Sequence, residues 1–206
     1  MHEQGYLLIN PLFTLDEMEE VDTCLNSEFT ASTRLALDNT VIREFGVALL
    51  KKVASHIPAV ANYKPVSCHY FNKCKETNWM VPFHRDEYFL FDEKINHPHV
   101  TDWCYKEERL FGRIALGQLH RLIAVRLAID PVDLDNGPLR VLPKSHLYLG
   151  SEVPSTVGER SIIQNIGDAL IMYPSLFHAS SKSVTGRSRR ILHYAFIDKN
   201  FFNPSA

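Results

Sequence analysis

The spacing of hydrophobic positions changes near residue 66 and divides the chain. Before that point the period is mainly helical. Tyr6–Ile9 is a short apolar run, a strand candidate that Asn10-Pro11 ends. Thr14-Leu15-Asp16-Glu17 reads as a capping box, with Thr14 as the cap and Glu17 reaching back to it. The helix that follows runs to about Glu28, and Leu15, Met18, Val21 and Leu25 recur at a spacing that faces them inward. A second helix is expected from about Asn39-Thr40 to His56, with Val41, Phe45, Ala48, Leu49 and Val53 inward, and Ile57-Pro58 stops it.

From Val66 the pattern is that of short strands. Val66–Phe71, Val81–Asp86, Leu122–Ile129, Leu139–Leu142, Ser161–Ile166, Ala169–Met172, Leu176–Ser180 and Arg189–Phe196 are the candidates. Asp135-Asn136-Gly137-Pro138 and Gly167-Asp168 supply turns between them. Asn72–Trp79 reads as a polar loop. Glu87–Gln118 is long and mixed, with no strong period, and is expected to be an irregular, lid-like insertion. Two helices ahead of a run of strands predict a mainly β fold with a helical buttress. The whole of 1–206 is expected to be one domain: 1–65 as mainly helical support, and 66–197 as a double-sheet barrel that carries the 87–118 insertion.

Composition narrows the class. At 206 residues, 45% hydrophobic and 22% charged, the chain is ordinary for a globular protein that can bury one sizeable core. A net charge of -2, with no dense basic run, gives no electrostatic footprint for nucleic acid. Cys24, Cys68, Cys74 and Cys104 form no Cys-x-x-Cys pair, so free thiols in a reducing compartment are expected. The first residues lack a signal-peptide pattern and no apolar stretch approaches a membrane span, so the expected location is the cytoplasm, without a membrane partner.

The candidate chemistry starts at Val81-Pro82-Phe83-His84-Arg85-Asp86. On a strand, His84 and Asp86 leave the same face. Alone, His-x-Asp is a short pattern, more often a surface or structural feature than a metal site. His178 downstream supplies a third ligand, and two histidines with one carboxylate suit a non-heme Fe(II) centre with open positions. Arg189 follows His178 past a turn containing Thr185-Gly186; buried there, it would clamp a dicarboxylate through a two-pronged ion pair.

In this order and spacing, four segments resemble the phytanoyl-CoA dioxygenase family of Fe(II)- and 2-oxoglutarate-dependent oxygenases. They are Asn78–Asp86, Asp135–His146, Gly167-Asp168-Ala169-Leu170, and His178-Ala179-Ser180 with Arg189 after it. The likeness spans roughly Val66–Phe196. This chain has Lys144 where the family often has glycine, and Arg85 where glutamine is common. The resemblance implies a double-stranded β-helix (a cupin-like jelly roll) that binds Fe(II) through His84, Asp86 and His178. It implies 2-oxoglutarate as co-substrate, its distal carboxylate held by Arg189 with help from Ser180. It also implies O2 consumption and release of succinate and CO2. Lys73 sits where some relatives contact the co-substrate, and reads equally as a solvated charge in a polar loop. A carboxylate at Asp86 favours hydroxylation, because related halogenases have a small residue there.

Other residues carry two readings. Arg126 interrupts an apolar strand and needs a partner, either Asp130 or an anionic substrate. Arg140 is a candidate substrate contact or a solvated outer-face charge. His193 shares a face with Arg189 and lines the cavity or packs in the core, and His69 by parity faces the pocket. Trp79 is expected in the core, His97 and His99 at the surface, and His146 on a barrel turn. Arg187 and Arg190 are expected as surface charges. The function expected is hydroxylation of a small polar or anionic metabolite, with Arg126, Arg140 and His193 as substrate contacts. The alternatives are a non-catalytic jelly-roll ligand-binding protein, and a cupin-like metalloenzyme without 2-oxoglutarate, in which Arg189 would have no purpose.

Overall fold

The computed structural model describes residues 1–28, 36–106 and 108–202. In these there are two α-helices, α1 (Leu15–Glu28) and α2 (Thr40–His56), and twelve strands. The capping box forms: the Thr14 N–H donates to Glu17 Oε2 at 2.9 Å. Asn39 caps α2 by accepting from the Ile42 N–H.

A five-stranded antiparallel sheet has the order β1-β10-β7-β12-β2, with β1 Tyr6–Ile9, β10 Ala169–Met172, β7 Leu122–Ala128, β12 Arg189–Asp198 and β2 Tyr63–Lys73. A four-stranded sheet has the order β3-β11-β8-β9, with β3 Val81–His84, β11 His178–Ser180, β8 Leu139–Val141 and β9 Arg160–Ile162. The two sheets meet through Ala124, Leu170 and Met172 on one side and Leu139, Val141 and Ile162 on the other. That is the expected double-sheet core. β7 is buried at every position because both faces are covered, which is why its sequence runs apolar without alternation. Its odd-numbered residues Ile123, Val125 and Leu127 meet the helices, while the even-numbered ones, Arg126 among them, point between the sheets.

The helices pack on the outer face of the large sheet through Met18, Val21, Leu25, Ile42, Leu49 and Val53. Leu15, expected inward, lies at the edge of the α1 stripe and is exposed. On α2 the buried residues are Ile42, Gly46, Leu49, Leu50 and Val53, so Val41 and Ala48 face solvent and the stripe is turned by about one residue from the expected one. Gly46 sets that rotation: a Cβ there would lie 2.7 Å from the Tyr194 ring, whose hydroxyl donates to the Ile42 carbonyl.

The stretch 87–118 is not irregular. It folds into a third antiparallel sheet, β4-β6-β5, with β4 Tyr88–Phe91, β5 Val100–Lys106 and β6 Arg109–Ile114. Its alternation is hidden because a bulge between Thr101 and Cys104 shifts the register of β5 on β6. Phe89, Val100 and Ile114 pack with Ala195, Ile197 and Phe201.

Arg190 also departs from expectation. Strand parity does put it opposite Arg189, but α1 covers that face. Arg190 pairs there with Asp130 at 2.6 Å and with Asp22, tying β12 to α1. Arg187 stays exposed beside Asp133. Lys144, standing where the family has glycine, holds φ at +68° in the left-handed region that glycine adopts freely. Among the described residues there is no disulfide, and no helix is long and apolar enough to cross a membrane.

Candidate active site

The centre is built by one cross-strand pair. β11 lies antiparallel to β3 with His178 directly opposite His84, so the two rings stand 4.3 Å apart. β3 ends at His84, and Asp86 is placed by the turn beyond it, where its N–H donates to the Pro174 carbonyl at 3.0 Å. The carboxylate reaches back all the same. Asp86 Oδ1 is 3.6 Å from His84 Nε2, and Oδ2 is 3.6 Å from His178 Nε2. One ligand atom from each of the three lies within 4.8 Å of the others. Metal–ligand bonds of roughly 2.0–2.2 Å put neighbouring ligand atoms about 3 Å apart, so the cluster needs little contraction to close on an ion.

The tautomers suit that role. His84 Nδ1 is 2.9 Å from the Pro82 carbonyl, and His178 Nδ1 is 2.9 Å from the Leu176 carbonyl. A carbonyl only accepts, so both Nδ1 atoms carry a proton and both Nε2 atoms are turned toward Asp86. Burial would lower the His84 imidazole, but the Asp86 carboxylate raises it. Burial pushes the His178 imidazole down to about 4, which keeps it neutral and able to ligate at pH 7. Burial would raise the Asp86 carboxyl, but His178, His84 and His193 together hold it well below the usual carboxylate range. Arg85 braces the segment from behind. Its guanidinium donates to the Ser175, Gly150, Ser145 and Tyr148 carbonyls and sits 4.0 Å from the Phe177 ring centre.

The cluster opens into a cavity of about 390 Å³. Arg189 lines it, 2% exposed, and its Nε and Nη1 have no hydrogen-bond partner among the described residues. Ser180 lines it too. Lys73 is not a solvated loop residue. It ends β2 opposite Arg189 and is fully buried, and its Nζ donates to Ser180 Oγ at 2.9 Å and to the Ser181 carbonyl at 2.5 Å. Burial, then the neighbouring Arg189 and Arg126, lowers the Lys73 ammonium to about 7. The unfolded chain therefore binds its proton more tightly from about pH 7 up to the ordinary 10.5, and stability rises with pH across that window. Lys73→Met is expected to raise the thermal midpoint more at pH 6 than at pH 9.5. Equal shifts at both pH values would mean that Lys73 is not buried as an ammonium.

Arg126 and His193 also line the cavity, as does His69. Arg126 does not pair with Asp130, which is taken by Arg190; its Nη1 lies 3.3 Å from His193 Nδ1. Arg140 departs from the expected substrate role. It alternates with cavity-lining Leu139 and points away, paired with Glu159 at 3.1 Å and lying over the Phe83 ring. Trp79, expected in the core, lines the cavity, with Lys73 Nζ 5.1 Å from its ring centre. His146 accepts no metal role: it stacks on Tyr173 and meets the His2 carbonyl. His97 is half-buried against Phe201.

Sequence reasoning missed Tyr88, Lys106 and Phe111, which the third sheet brings to the cavity wall. The aromatic and β-branched content of 100–114 was the available signal.

These residues fit a metal and a dicarboxylate. Three ligand atoms converge, both imidazoles are tied through Nδ1 to carbonyls, and Arg189, a buried guanidinium with two nitrogens unpaired among the described residues, lines the same cavity. Solved structures share the fold. The non-heme alpha ketoglutarate dependent epimerase SnoN from nogalamycin biosynthesis aligns over 96% of this chain and 77% of its own at 13% identity, with a TM-score of 0.71. HygX from Streptomyces hygroscopicus, with nickel and 2-oxoglutarate bound, aligns over 97% and 84% at 15% identity and a TM-score of 0.66. The carbocyclase SnoK, from nogalamycin biosynthesis, aligns over 96% and 81% at 13% identity and a TM-score of 0.66. A search of curated protein sequences finds no match. The sequence profile described as phytanoyl-CoA dioxygenase (PhyH) matches residues 1–191. That match covers almost the whole chain, and the chain belongs to the phytanoyl-CoA dioxygenase family.

Proposed function

We propose that this protein is an Fe(II)- and 2-oxoglutarate-dependent oxygenase that hydroxylates a small molecule. The observation that carries the reading is one cavity with two features: the His84, Asp86 and His178 ligand atoms, and the unpartnered guanidinium nitrogens of Arg189. His84, Asp86 and His178 would hold Fe(II), which would supply oxidation by O2 coupled to conversion of 2-oxoglutarate to succinate and CO2.

The chain's own residues position and shield. His84 and His178, fixed by their Nδ1 hydrogen bonds, present Nε2 lone pairs. Asp86 supplies the anionic ligand, and its presence supports hydroxylation over halogenation. Arg189 receives the distal carboxylate in a two-pronged pair, and Ser180, itself held by Lys73, offers its hydroxyl to the same group. Phe71, Trp79, Tyr88 and Phe111 form aromatic walls that limit water near the reacting bond. The three-stranded sheet contributes two of those walls and acts as a fixed cover. A metalloenzyme without 2-oxoglutarate leaves Arg189 buried without a counter-ion, which counts against that reading.

The test is spectroscopic, then chemical. Anaerobic protein with Fe(II) should develop a weak visible charge-transfer band on adding 2-oxoglutarate, and admitting O2 should form succinate slowly. Absence of both band and succinate overturns the reading.

A further inference from the structure

The charges around the cavity do not balance. Its lining holds Arg126, Arg189 and Lys106 against a single carboxylate, Asp86. On the oxygenase reading, a divalent ion, Asp86 and dianionic 2-oxoglutarate sum to one negative charge, which Arg189 alone offsets. Arg126 and Lys106 are then left over, and of the two only Arg126 is buried. Arg126 is 5% exposed, its Nε has no hydrogen-bond partner among the described residues, and its Nη1 lies 3.3 Å from His193 Nδ1. A guanidinium only donates, so His193 Nδ1 accepts from it and is not an anion substitute. Burial and the neighbouring Arg189 lower Arg126, against the pull of the Asp86 carboxylate, only to about 9, so it remains charged at neutral pH.

Position separates the two arginines. Arg126 and His69 both pair with His193, on opposite sides of β12. Arg189 lies four residues earlier on β12, roughly 13 Å along the backbone at about 3.3 Å per residue, although its guanidinium is near enough to that of Arg126 to repel it. His193 Nε2 is 3.7 Å from Asp86 Oδ2, so the Arg126 row is level with the metal ligands and Arg189 is well below them. A 2-oxoglutarate anchored on Arg189 has its other carboxylate at the metal. Neither end leaves a charge for Arg126 to meet.

We propose that Arg126 binds the anionic group of the primary substrate, and that this substrate is a small organic carboxylate. The inference rests on the oxygenase reading. A phosphate dianion would call for a second cation in that row, and the row's other members are imidazoles. The aromatic walls suit an organic body, and a cavity of about 390 Å³ is near the lower end of ligand sites, which run from roughly 300 to 1,000 Å³. Lys106, with its Nζ 4.7 Å from the Tyr88 ring centre, adds a positive charge to the wall and draws anions in.

The experiment uses anaerobic protein loaded with Fe(II) and saturating 2-oxoglutarate. It is titrated with matched pairs: acetate and acetamide, benzoate and benzamide, hexanoate and hexanamide. Readouts are perturbation of the charge-transfer band and shift of the thermal midpoint, not turnover. At least one acid should bind about tenfold or more tightly than its amide. Arg126→Gln should erase that preference while the 2-oxoglutarate midpoint stays within about twofold of wild type. Arg140→Ala, outside the cavity, should keep the preference. Acid and amide binding alike in every pair overturns the proposal, as does an acid preference that survives in Arg126→Gln. Arg126→Gln weakening 2-oxoglutarate as much as Arg189→Ala does would also overturn it, by assigning Arg126 to the co-substrate. The oxygenase reading fails separately, through the missing band before any acid is added, and the thermal shift still reports the acid–amide preference in that case.

Discussion

Asp86→Ala is expected to lower succinate formation by well over about a hundredfold, since loss of even an outer-shell partner of a metal ligand costs roughly 10–100-fold. The effect falls on the metal. Two neutral imidazoles would remain, with nothing to offset the charge of the ion. The fold should survive, because Asp86 lies beyond the end of β3 and belongs to none of the hydrophobic clusters. Iron content after desalting and the far-ultraviolet circular dichroism spectrum separate the two effects. Iron should be lost while the spectrum is unchanged. Turnover near the wild-type level would remove Asp86 from the ligand set.

Arg189→Met has a two-sided expected result. Affinity for 2-oxoglutarate should fall by about a hundredfold to several thousandfold, the equivalent of roughly 3–5 kcal/mol for losing one partner of a buried charge pair. The ligand-free protein, in contrast, should become more stable. Its guanidinium is 2% exposed with two nitrogens unpartnered, so it carries a desolvation cost that a methionine does not. Denaturant midpoints without ligand read the gain, and charge-transfer titrations read the loss. Unchanged 2-oxoglutarate affinity would assign the distal carboxylate to another residue. Arg189→Lys should restore little, because an ammonium cannot reproduce the planar fork.

The double-sheet core was legible because β7, β10 and β12 are apolar runs with turn residues between them. His84, Asp86, His178 and Arg189, which the fold brings to one cavity, could be picked out because their order along the chain is distinctive. Three things were hidden, each for a local reason. The third sheet was lost because the bulge in β5 breaks the two-residue period on which strand reading depends. Arg190 was misplaced, and Arg140 was left open between a substrate contact and an outer face, because parity tells which face a side chain leaves, not what covers that face. α1 covers Arg190, while Glu159 holds Arg140 outside the cavity. Lys73 looked like a loop residue because β2 runs two residues past its apolar stretch, ending opposite Arg189. The lysine at 144 was visible as a departure from the family. Its left-handed backbone gives the reason glycine is usual there.

Arg189 and Arg190 are chemically identical neighbours assigned to opposite jobs, and nothing in their side chains tells them apart. Only the alignment of β12 does. A shift of one residue would send the wrong arginine inward and turn His193 away from Asp86. The grip of Arg190 on Asp130 and Asp22 makes that shift costly. The outward arginine therefore favours the one alignment of β12 that also places Arg189 and His193 in the interior.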